Sequence, residues 1–196
     1  MALTDSLNPD HLYTVARQLG PFLLPFAAAG VPPASTGIAE SLQVWTTSLK
    51  AFLIPGMEAP LCYHVWHHQL RPAGGGRANA YARSIEHDDA QAELRGVYQA
   101  DVAGEIDLAV SAIDGLGLAD DVKVRLLEVP DVTLMALWLQ SPALDQYIPL
   151  GRFASPGDGH FAPISKQELV GRLPKQPISG LSREPPPDRR PDFRQG

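Results

Sequence analysis

Apolar residues at helical spacing open the chain. Leu12, Val15, Ala16 and Leu19 follow an Asn8-Pro9 start and lie on one face, which predicts a first helix ended by Gly20-Pro21. Ile38, Leu42, Trp45, Leu49 and Phe52 repeat the three- and four-residue step, predicting a second helix from Ser35 or Thr36 to Pro55-Gly56. The strongest periodic signal lies between Asp88 and Gly115. There Leu94, Tyr98, Val102, Ile106, Ala109 and Ile113 form one stripe of a long central helix, with Gly96 and Gly104 inside it.

Beyond Gly117 the helical period disappears. Lys123 to Val129 alternates in part, and Val132 to Leu139 is an unbroken apolar run of the length of a buried strand, with Pro130-Asp131 as the turn between them. Gln146 to Leu150 reads as an edge strand, because Pro149 cannot donate to a ladder, and His160 to Ile164 as a possible addition. Ser165 and Glu168 form an S-x-x-E capping box for a short last helix ended by Pro174. The expected architecture is therefore an α+β domain over residues 1–173. In it two N-terminal helices and one long central helix pack on a small, mostly antiparallel sheet, and residues 174–196 follow as an extended or disordered proline-rich tail.

Composition narrows the functional classes. A net charge of −6 argues against nucleic-acid binding, which needs a clustered excess of Lys and Arg. Residues 84–131 hold twelve acidic against three basic side chains, whereas 171–196 hold six basic against three acidic. One cysteine excludes an internal disulfide framework and a multi-thiolate zinc site. The N-terminus lacks the basic-then-apolar order of an export signal, and the apolar stretch from Leu19 to Pro33 is too broken to span a bilayer, so a cytoplasmic chain without a membrane span is expected.

Reactive side chains are densest in LCYHVWHHQL, residues 61–70. His64, His67 and His68 are candidate metal ligands if this segment is helical. Its aromatic and β-branched content and its bounding prolines favour a strand instead, with Cys62, His64 and His68 on one face and His67 on the other. The glutamate of H-E-x-x-H is missing, so that metalloprotease pattern fails. Cys62 is a candidate nucleophile with His160 as a distant base and Asp145 or Asp158 to orient it, but its neighbours are bulky and an inert cysteine fits better. RPAGGGR, with Arg71, Arg77 and Arg83, could cradle an anion, although it lacks the Lys-Ser/Thr of a P-loop.

The leading reading is a noncatalytic interaction or assembly component, without a cofactor, that binds a protein partner or itself as a homo-oligomer and buries some of Phe22, Leu23, Leu24 and Phe26. The alternatives are a hydrolase-like metal enzyme using His64, His67 and His68, and an anionic-ligand module at Arg71 to Arg83.

Overall fold

A computed structural model describes residues 3–4, 7–27, 36–54, 60–72, 76–78, 80–87, 91–99, 101–154 and 160–174. Among these the chain runs β1 (Leu3–Thr4), α1 (Pro9–Ala27), β2 (Thr36–Thr46), α2 (Leu49–Leu53), β3 (Leu61–Pro72), β4 (Ala80–Glu86) and β5 (Ala92–Gln99). It continues through α3 (Asp101–Asp114), β6 (Lys123–Val129), β7 (Leu134–Ser141), β8 (Leu144–Pro149), β9 (Ile164–Ser165) and α4 (Lys166–Arg172). The strands form one mixed sheet in the order β5-β4-β3-β2-β6-β7-β8-β9, with β1 also paired to β6.

Two antiparallel meanders, β2 to β5 and β6 to β9, meet at a parallel seam where Val44, Trp45 and Thr46 face Leu126, Leu127 and Glu128. The sheet curls strongly. Arg83 on β4 ion-pairs with Glu128 on β6, and two strands lie between them, so the face carrying this pair is concave.

Three apolar cores hold the layers together. On the concave face Ile106, Ala109 and Ile113 of α3 pack on Leu42, Val44, Leu126, Leu137, Leu139 and Ile148. On the opposite face Val15, Leu19 and Leu23 of α1 cover Leu70, Ala80, Ala82, Ala92 and Leu94, while Phe52, Phe153, Leu169 and Leu173 cover Leu127, Ala136 and Trp138. Within the second of these patches the Arg125 guanidinium lies 4.2 Å from the Trp45 ring centre and 5.6 Å from that of Trp138.

This architecture corrects the expected fold. The molecule is mostly sheet, not two N-terminal helices and a long central helix on a small sheet. The segment expected as a second helix is β2, followed by the five-residue α2, which Ser48 caps by accepting from the Ala51 N–H. The expected long helix is β5 followed by the 14-residue α3. The first helix continues past Gly20-Pro21 to Ala27, because Leu23 still has an apolar sheet to cover.

Strands β6, β7 and β8 and the Ser165–Glu168 capping box lie where the sequence places them, except that β8 is not an edge strand, because Gln146 and Tyr147 pair with Ser165 and Ile164 of β9. The expected tail from residue 175 onward lies outside the described residues, as do Asp158 and the side chains of Leu24 and Phe26.

Candidate functional site

Strand β3 brings its histidines into the interior but does not converge them. Between Val44/Val65 and Trp45/Cys62 the register slips, so that Tyr63 and His64 leave the ladder, and His64 adopts a left-handed φ of 55° on the exposed surface. Past this bulge the residues alternate regularly. His68 points towards α1 and His67 towards the concave face, both fully buried. The three imidazoles therefore share no common point, and among the described residues no group of three His, Cys, Asp or Glu side chains is placed to hold a metal ion.

On the α1 side lies a chain of hydrogen bonds. His11 Nε2 is 2.8 Å from Ser84 Oγ, which is 2.8 Å from His68 Nε2, and His68 Nδ1 is 2.8 Å from Ser41 Oγ. A serine hydroxyl has one proton, so Ser84 donates to one imidazole and accepts from the other. The ring that accepts from Ser84 is therefore unprotonated at Nε2. Burial, followed by the neighbouring His11 and Arg83, pushes His68 down to about 3. Burial also lowers His11, against the opposing pull of Glu86, whose carboxylate accepts from Trp66 Nε1 at 3.2 Å. The cluster is sealed, because His11, His68 and Ser84 are all 0% exposed. Its geometry suits holding α1 on the sheet, and no substrate can reach it in this state.

On the concave side the polar groups are arranged differently. His67 lies flat against Tyr81, with ring centres 4.4 Å apart, and Tyr81 against Tyr98 at 5.1 Å, making a three-ring ladder across β3, β4 and β5. The outermost ring, Tyr98, is 44% exposed and lies over Gly96, where a Cβ would meet its hydroxyl at 3.0 Å. Neither ring nitrogen of His67 nor either amide atom of Gln69 has a hydrogen-bond partner. Burial, with Arg83 and His68 adding like charge, keeps His67 well below the usual histidine range.

The arginines proposed for an anion are already engaged or apart. Arg71 pairs with Asp107 of α3, whose second oxygen accepts from the Ala78 N–H at 3.3 Å, and Arg83 pairs with Glu128. Arg77 is exposed, and residues 73–75 of the glycine run lie outside the described residues. Nearby Glu40 is raised by burial, with Arg71 pulling it back. Cys62 stands opposite Trp45 in β3, whereas His160 packs edge-on against Phe161 just before β9, with four strands between them in the sheet order. Asp145 accepts from Trp138 Nε1 at 2.7 Å and from the Tyr147 hydroxyl at 3.0 Å, which engages it in the packing of β7 and β8.

Of the residues expected at an interface, Leu23 is buried in the α1 core and Phe22 is 41% exposed. Sequence reasoning missed the ring ladder and the His11 chain. Tyr81 and Tyr98 carry no motif, and His11 and Ser84 stand 73 residues apart. Among the described residues no helix is long and apolar enough to cross a membrane. Comparisons with protein-family models, with curated proteins and with solved structures find no match to this chain.

Proposed function

We propose that the chain is a noncatalytic protein-interaction component that receives a partner protein on the concave face of β4 and β5. One observation carries this reading: α3 packs on the concave face over β2, β6, β7 and β8 and touches β4, and the His67–Tyr81–Tyr98 ladder runs from a buried ring out to an exposed one on β5. A tyrosine ring fixed by stacking offers contact area at little conformational cost, a property of interface anchors. Further along β5, Glu93 and Arg95 are about half exposed and pair with each other at 3.1 Å, which adds polar side chains to the same strand. The pairing of Arg71 and Arg83 with carboxylates supports a protein partner over an anionic small ligand.

Affinity capture with the wild-type chain and with Tyr98→Asp tests the reading. A protein retained by the wild type and lost by the variant, with circular dichroism unchanged, is the expected result. Retention of the same proteins by both chains, or by neither, overturns it.

A further inference from the structure

Strand β5 ends the sheet, and its outer edge is held in an unusual way. His87 N–H donates to Gln91 C=O at 2.9 Å, which makes 87 and 91 a hydrogen-bonded pair and turns the backbone groups of Ala92 and Leu94 away from β4. Both are met by one side chain. The Gln18 amide of α1 donates to Ala92 C=O at 3.1 Å and accepts from Leu94 N–H at 2.7 Å, the two bonds that the backbone of a further strand would make there.

The residues around this clamp are self-complementary. If two copies of β5 pair antiparallel about a two-fold axis at Leu94, then Leu94 faces Leu94, and Glu93 of each chain faces Arg95 of the other. Opposite charges then lie directly across the new ladder twice, on side chains that are 47% and 49% exposed. On α1, Thr14, Gln18 and Phe22 are spaced by four residues and form one stripe, so the exposed Phe22 ring lies one turn from the clamp, on the side that overlooks the β5 edge. The β5 bulge between Leu94 and Gly96 limits the shared ladder to a short stretch, which suits a dimer that dissociates on dilution.

We infer that the β5 edge is a docking surface for a second copy of this chain, with Gln18 standing in for the partner strand while the chain is alone. This deepens the proposed function, on which it rests. Joining two β5 edges would place both Tyr98 ladders on one continuous concave face and double the surface offered to a partner protein.

Sedimentation of the full chain across the micromolar range tests it, and the mass should rise from one chain to two with concentration. Glu93→Arg and Arg95→Glu each put like charges across the axis and should weaken the dimer about tenfold, and combining the two changes should restore it. Gln18→Ala removes the competitor and should strengthen association, whereas Phe22→Asp should weaken it. In a Cys62→Ser background, Glu93→Cys chains mixed with Arg95→Cys chains should form an intermolecular disulfide in much higher yield than either alone, because only the mixed pair is directly opposite.

A chain that stays monomeric at every concentration, or a dimer indifferent to the charge swaps and to the mixed cysteines, overturns the inference. If the chain is monomeric yet a partner is still captured and is lost with Tyr98→Asp, the inference falls and the interaction reading stands. If it dimerises as described but captures no partner, the reverse holds.

Discussion

The two meanders of the sheet solve the problem of burial in opposite ways. The β6–β9 half is covered on both faces, by α3 on one side and by α2, α4 and the turn at Phe153 on the other, and its interior is Leu, Ile, Val and aromatic rings, with Arg125 laid against two of the rings. The β3–β5 half is covered by α1 on one face and opens beyond α3 on the other. Its interior holds His11, His67, His68, Gln69 and Ser84. Apolar packing needs only volume and gives most of a fold's stability. Buried polar groups need directed partners and cost free energy without them. The first half is thus the anchor, and the second bears the exposed ring ladder and the clamped β5 edge on which the proposed contacts rest.

The largest effect should follow from damage to the anchor. Leu137→Ala, in the core under α3 at 0% exposure, should cost about 2–5 kcal/mol by urea denaturation, since the tightly packed site leaves a cavity. A loss below ~1 kcal/mol would mean that the β6–β9 half is loosely packed and the contrast between halves is false.

Acid should act on the other half. His11, His67 and His68 all have folded-state values below the ordinary histidine value of 6.5, so the unfolded chain binds protons first as pH falls. Their contribution is fully present above about 6.5 and is lost progressively below it, towards about 3 for His68. The slope approaches ~1.4 kcal/mol per pH unit for each histidine that stays neutral in the fold. Hydrogen exchange between pH 7 and 5 should show α1 and β3–β5 losing protection before β6–β8. Uniform loss across the sheet would show that the halves respond as one.

The smallest effect separates two kinds of buried histidine. His67→Leu replaces a ring whose nitrogens have no partner by an apolar side chain, and thermal unfolding should show a change near zero or a slight gain. A loss of ~2 kcal/mol or more would show that His67 has a stabilising role its missing partners do not reveal.

How legible this was depended on whether each element's period survived burial. β6, β7 and β3 were readable, because apolar or aromatic runs bounded by prolines admit few alternatives. β2 was not, since it sits centrally with both faces partly covered, and Leu42, Trp45 and Leu49 happened to fall at helical steps. In β5 the deception is sharper. Leu94 and Tyr98 are four apart, a spacing that fits a helix face, yet the bulge between them turns Leu94 towards α1 and leaves Tyr98 stacked on Tyr81 across the sheet. The interior histidines of β3 were visible as residues, but their partners were not. Ser41, Ser84 and His11 come from two other strands and a helix, and nothing local marks them as neighbours.

The parallel seam also sets an order of events during synthesis. Val44 must wait for Leu126, which leaves the ribosome 82 residues later, and at ~5–20 residues per second the delay is roughly 4–16 s. Throughout that interval the N-terminal meander can close on itself through β3, β4 and β5 while one edge of β2 stays unpaired. Such distant pairing slows folding in general. For several seconds, the nascent chain therefore offers its most central strand as an open edge, a stage at which a chaperone or a neighbouring ribosome's product has its best access.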